Sequence, residues 1–232
     1  MDTKTPPPAV VTLTAGHFRA LVGPVVPLAL NDRYNSTPIL QAVYVRSSGP
    51  YLTATATDRY RMGVKRLRTA ETPPAGISAV MPLTTVKRIL TAFKVSRSHN
   101  PELRLTFGPD TVKVESGFAF ADGGEAALTL PLVTDKYPPV DRLIREAMGR
   151  EVAAESFAVN PAFLGDFRHA QQMGEPLVIK STGRTHSVVV HVGEDFIGLI
   201  QPVRFEGDDE RVAALDTGWA DLLDAPAEEK AA

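Results

Sequence analysis

The chain has 232 residues, 44% of them hydrophobic and 22% charged, an ordinary globular composition in which burying a core is not limiting. A formal net charge of −2 excludes a uniformly basic nucleic-acid binder while leaving room for a positive face balanced by acid elsewhere. The absence of cysteine excludes a disulfide framework and thiolate metal sites, and no stretch approaches the roughly 18 apolar residues of a membrane span or forms a signal peptide, so a soluble, cytoplasmic protein is expected.

Residues 1–8 are Pro-rich and are expected to form a disordered tail. VTLTAGHFRALVGPV (11–25) then runs from alternating apolar residues into a helical stripe, with Phe18, Leu21, Val22 and Val25 at i, i+3, i+4 and i+7. Three strand-like segments follow, PILQAVYV (38–45), YLTATAT (51–57) and RYRMGVKRL (59–67), with Gly49-Pro50 as a turn. After the linker TPPAG (72–76), the pattern repeats in AVMPLTTVKRILTAF (79–93), where Val86, Ile89, Leu90 and Phe93 form the stripe. Its strands are ELRLTF (102–107), TVKVES (111–116) and AALTLPL (126–132), the first two joined by a Gly108-Pro109-Asp110 turn.

A third copy begins at FAVNPAFLGDFRHA (157–170), with Phe163, Phe167 and Ala170 on its stripe, and continues through PLVIKS (176–181), HSVVVHV (186–192) and FIGLIQPV (196–203). The chain therefore reads as three β-α-β-β-β units, an α+β protein with helices on one face of antiparallel sheets. Units 1 and 2 are expected to form one complete domain over 9–144, the third unit a half domain over 145–205, and 206–232 an acidic C-terminal tail. The junction KYPP (136–139) and DRLIREAMGREVAAES (141–156) is partly helical in pattern.

Several chemistries lack support. No Gly-rich phosphate loop is present, and the Gly123-Gly124 pair lies in a polar turn without a following Lys. His186 and His191 sit five residues apart on one predicted strand and so point to opposite faces, no HExxH helix occurs, and no metal or cofactor is expected. There is no GxSxG elbow, and Asp58 and Asp166 have no second carboxylate nearby in sequence. A binding protein rather than an enzyme is expected, although a hydrolase without a sequence signature would be revealed only by converging side chains.

ATDRYRMGV (56–64) resembles the ATDgyRla-type strand of the bacterial DNA polymerase III beta sliding clamp family. PILQAVYV (38–45), DKYPPVDRLI (135–144) and LIQPVRF (199–205) resemble further family segments in the same order. The resemblance covers about residues 10–205, the family's middle domain followed by the second half of its last domain. It implies a shortened, phage-like or accessory clamp: a sequence-independent, duplex-DNA-associated processivity factor that tethers a replicative polymerase and other proteins carrying clamp-binding motifs. A homo-oligomeric ring, with a clamp loader if the ring is stable, is the implied assembly. The alternative is a monomeric clamp-fold module that binds polymerase motifs without encircling DNA.

The resemblance carries a peptide pocket onto Leu40, Thr57, Arg61, Met62, Pro138, Arg142, Leu143, Ser187, Leu199, Ile200, Pro202, Val203 and Arg204, with Gln201 departing from a usual Met. In that reading Met62, Leu143, Ile200 and Val203 form an apolar hole for Leu or Phe anchors, and Arg61, Arg142 and Arg204 rim it. Period-two spacing alone equally fits strand core for Met62, Ile200 and Val203. DNA-facing positions are His17 and Arg19 on helix one, Lys87, Arg88, Lys94 and Arg97 on or beside helix two, and Arg168, His169 and Gln172 on helix three, suited to phosphate contacts without base readout. Basic residues on the solvent side of amphipathic helices are also the ordinary arrangement.

Overall fold

The computed structural model describes residues 8–31, 37–116, 126–153 and 157–204. The expected acidic tail, most of the N-terminal tail and the Gly123-Gly124 turn lie outside the described residues. Unit 1 contains β1 (Ala9–Thr14), α1 (Ala15–Val22), β2 (Ala42–Ser48), β3 (Tyr51–Thr57) and β4 (Arg61–Arg68). Unit 2 contains β5 (Ser78–Pro82), α2 (Leu83–Ala92), β6 (Glu102–Phe107), β7 (Thr111–Ser116) and β8 (Ala126–Pro131). The junction helix α3 (Val140–Met148) leads to α4 (Pro161–Asp166), β9 (Leu177–Lys180), β10 (Val188–Val192) and β11 (Phe196–Ile200).

Both complete units enter their helices directly from a strand. Thr14 caps α1 by accepting the His17 N–H at 3.1 Å, satisfying one of the free donors of the first turn. Val25 and Phe93 lie just past their helices but remain buried, extending each apolar stripe as the spacing predicts. Two features differ from expectation. PILQAVYV begins as a 3-10 turn, Pro38–Leu40, because proline supplies no N–H to a ladder there. The opening strand of the third unit is not formed: residues 157–160 stay extended outside any sheet.

The opening strands of units 1 and 2 are exchanged. β1 pairs antiparallel with β6, giving the sheet β1-β6-β7-β8, whereas β5 pairs with β2 in the sheet β5-β2-β3-β4-β11-β10-β9. The β4–β11 ladder welds unit 3 to unit 1, and the expected 144/145 division falls inside α3.

Strand alternation sorts side chains between two cores. Val43, Val45, Ala54, Ala56, Val188 and Val190 face the main core with α1, α2 and the 3-10 turn Phe167–Ala170. Ala42, Met62, Val80, Val189 and Leu199 face a second cluster closed by Tyr137, Val140, Ile144 and Ala147. Thus the helices of the three units share one side of the sheets, as expected, and the junction helix α3 alone lies on the opposite face. The reason is local: Val140, Ile144 and Ala147 form a stripe at i, i+4 and i+7 that needs its own apolar surface.

Candidate peptide-docking site

The site is built around the β3–β4 turn and the β4–β11 seam. Thr57 Oγ1 donates to the Arg61 carbonyl at 2.8 Å and accepts the Arg59 N–H at 3.2 Å. Asp58 Oδ1 accepts the N–H groups of Tyr60 at 3.0 Å and Arg61 at 2.9 Å. This side-chain scaffold holds Arg59 at φ 83°, in the left-handed region.

Arg61 and Met62 leave the turn on opposite faces of the sheet. Met62 is buried in the α3-side cluster, directly across the ladder from Leu199. Arg61 is across from Ile200. Its Nε reaches Asp58 Oδ2 at 3.0 Å, Nη1 pairs with Asp166, Nη2 donates to the Pro27 carbonyl at 3.2 Å, and the guanidinium lies 4.4 Å from the Phe163 ring centroid. Ile200 is fully buried in the main core. Arg61 and Ile200 are therefore not on the apolar face occupied by Met62 and Leu199, because adjacent strand residues alternate sides and these two have the wrong parity.

The remaining positions are spread over several elements. Leu40 is buried at the end of the 3-10 turn, its carbonyl accepting the Leu30 N–H at 3.0 Å. Pro138 is half-buried beside Tyr137, which stacks on Tyr44 with centroids 5.0 Å apart. On α3, Arg142 is exposed with Glu146 3.6 Å away, and Leu143 is 37% exposed. Ser187 Oγ accepts from Gln201 Nε2 at 2.8 Å, giving the residue that departs from the family pattern a defined partner. Beyond β11, Pro202 is half-buried, Val203 is 43% exposed, and Arg204 Nη2 donates to the Thr185 carbonyl at 3.2 Å.

Two contributors were hidden from the motif reading. Tyr60, exposed and stacked at 6.0 Å on Phe163, sits inside the quoted ATDRYRM segment. Asp166 is 105 residues from Arg61, so no local pattern could join them. The structure brings Asp58 and Asp166 to the same guanidinium, which makes them structural counter-ions rather than a paired acid and base. His186 lies outside β10, with Nδ1 3.0 Å from the Thr182 carbonyl, and among the described residues no group of His, Asp and Glu is placed to hold a metal.

All the expected DNA-facing residues are exposed. His17 and Arg19 are on α1, and Arg19 Nη2 donates to the Leu90 carbonyl near the end of α2 at 3.3 Å. Lys87 and Arg88 are on α2, whereas Lys94 and Arg97 lie beyond its end. Arg168 and His169 occupy the 3-10 turn after α4, and Gln172 lies past it, because α4 is only one and a half turns long. The Gln172 and Met173 N–H groups bind Glu175 Oε2 at 2.9 and 3.1 Å, and these bonds lower the Glu175 carboxyl pKa.

Residues 13–138 match the family model of the DNA polymerase III beta subunit, central domain. The chain belongs to the DNA polymerase III beta subunit family. The matched span takes in all of units 1 and 2 except the start of β1, and ends just before α3. A beta sliding clamp of Micrococcus luteus is 30% identical over 148 residues, covering 64% of this chain and 44% of that relative, so the chain spans less than half the relative's length. Among solved structures, a DNA polymerase sliding clamp from Pseudomonas aeruginosa superposes with a TM-score of 0.67 at 14% identity, covering 87% of this chain and 68% of that one. The beta subunit of the Streptococcus pyogenes DNA polymerase gives 0.66 at 19% identity, with 88% and 67% covered. These establish the sliding-clamp fold. No helix among the described residues is long and apolar enough to cross a membrane.

Proposed function

We propose that this clamp-family protein is a cytoplasmic, non-catalytic DNA polymerase processivity factor that associates with duplex DNA without sequence preference and tethers replication proteins through an extended-peptide site. The observation that carries the reading is the Met62–Leu199 pair at the β4–β11 seam. It joins the complete domain to the third unit within the apolar cluster closed by α3, and Leu143 on α3 and Val203 just beyond β11 remain exposed. An extended peptide with Leu or Phe anchors fits such a surface, with Arg142 and Arg204 available to its backbone or acidic groups.

Fluorescence anisotropy with a labelled clamp-motif peptide tests the site. Leu143→Asp combined with Val203→Asp changes only exposed side chains, and an affinity loss of about tenfold or more is expected. Unchanged affinity would remove the docking assignment. The exposed Lys87 and Arg88 on α2 support the DNA reading. Duplex affinity should fall linearly with the logarithm of salt concentration, at about −0.9 per phosphate neutralised, and Lys87→Glu with Arg88→Glu should flatten that slope.

A second reading, a clamp-fold module that binds polymerase motifs without encircling DNA, is favoured by the odd count of units, three among the described residues where a complete domain takes two. Stimulation of a polymerase on primed circular DNA, lost when the circle is linearised, supports the ring with its attendant loader. Peptide binding without stimulation supports the module.

A further inference from the structure

Among the described residues the third unit has two unfilled backbone edges, and the complete pair of units shows what fills such edges. Residues 157–159 stand where β5 stands in unit 2. Ala158, three residues before α4, accepts the Val203 N–H at 2.7 Å, just as Val80, three residues before α2, accepts the Val133 N–H at 2.8 Å. In unit 2 the other edge of that segment is taken by β2. Among the described residues, no strand lies along the corresponding edge of 157–159.

β9 likewise stands where β6 stands, as the first strand after the unit's helix and an antiparallel partner of the next strand. β6 has β1 on its far edge, whereas among the described residues β9 has no neighbour there. The difference is visible in burial. Leu103 and Leu105 of β6 are 0% and 1% exposed, while Leu177 and Ile179 are 37% and 39% exposed although they lie across from Val192 and Val190 of the main core. An open hollow of about 390 Å³ adjoins Leu177, its apolar wall formed with Leu164, Phe167 and Val192 and its rim carrying Arg168 and Glu175.

We propose that a second copy of this chain completes the third unit. Two third units related by a twofold axis would each lay residues 157–159 along the other's β9, as β1 lies along β6 and β5 along β2, forming one domain shared by two chains. The occupant follows from complementarity: among the described residues the third unit offers both an opening segment and a strand edge with no strand beside them. A twofold axis fills both edges on both chains at once, whereas an unrelated strand fills one. The missing half cannot be supplied from between α3 and α4, because residues 149–156 are too few for a strand-helix unit. Uncovered edges of this kind are association sites in water. The inference rests on the fold and stands independently of peptide or DNA binding.

Sedimentation equilibrium of the full chain across a wide concentration range tests this, with a reversible dimer or a multiple of it expected. Leu177→Asp with Ile179→Asp, at positions already exposed in one chain, should raise the dimer dissociation constant about a hundredfold or more, since the new charges would be buried on pairing. Hydrogen exchange of the unaltered protein gives a readout that needs no variant: amides of 157–159 and 177–180 should slow as concentration rises. A strictly monomeric chain, a variant that associates as tightly as the parent, or edge protection independent of concentration would each overturn the proposal; the last would place a segment of the same chain on the edge.

Discussion

Gly63 and Gly198 oppose each other across the β4–β11 ladder, and neither position has room for a Cβ on its main-core side. A Cβ on Gly63 would lie 2.5 Å from Leu28 Cδ1 and 2.7 Å from Phe196 Cζ, and one on Gly198 would overlap the Phe167 ring and the Met62 carbonyl. The seam between unit 1 and unit 3 is thus a place where backbone, not side chain, meets the core. Gly198→Ala should destabilise the protein by about 2–3 kcal/mol in urea denaturation, since Phe167 is fully buried and the Met62 carbonyl is main chain.

Arg61 ties the same seam by charge. Removing it by Arg61→Ala would leave the Asp58 carboxylate, only 8% exposed, without its cation, at a cost of about 3 kcal/mol. Arg61→Lys should recover little, because a single ammonium cannot serve Asp58, Asp166 and the Pro27 carbonyl together. Thermal melts of the two variants check both statements.

Tyr137 points its hydroxyl toward the Thr57 backbone without reaching a hydrogen-bond partner, and burial pushes the phenol pKa up. Tyr137→Phe keeps the stacking on Tyr44 and removes the orphan group, so a gain of up to about 1 kcal/mol is expected. Tyr137→Ala, which empties the ring's place between sheet and α3, should lose about 3 kcal/mol.

Lys65 is a buried cation on β4, and desolvation lowers its pKa from the ordinary 10.5 despite attraction from Asp195 and Glu175. A lowered ammonium pKa means that the unfolded chain binds the proton more tightly, so this group opposes folding while it is charged. Its contribution to stability should become less unfavourable as pH rises from the lowered value toward 10.5. Lys65→Met should raise stability at neutral pH by roughly 1 kcal/mol and remove that part of the pH dependence, as measured by urea midpoints across the alkaline range.

Arg59 carries a side chain at φ 83°, where the family's ATDgyRla-type pattern has glycine. Arg59→Gly should stabilise the chain by about 1 kcal/mol. The bond lost, Arg59 Nη2 to Thr37 Oγ1 at 3.0 Å, is solvent-exposed and worth less than the relieved strain. Equal or lower urea midpoints would show that the Asp58 and Thr57 scaffold already absorbs the strain.

The amino-acid sequence by itself determined the local architecture. β3, β6 and β7 occupy the spans read from alternation and turn residues, and α1 and α2 form where their stripes were read, because periodicity and capping act over a few neighbouring residues. The family was legible for the same reason, carried by short segments in a fixed order. What only the tertiary structure decided was the pairing of distant segments: the exchange of β1 and β5, the weld of β11 to β4, and the Arg61–Asp166 contact. It also decided sidedness. Leu199 and Ile200 are adjacent apolar residues on a strand buried on both faces, so their pattern carries no sign of which one meets α3 and which the main core. The opening segment of unit 3 reads like a strand yet joins no sheet, because among the described residues only one of its edges meets a partner, at Val203, and no second strand takes its remaining hydrogen bonds.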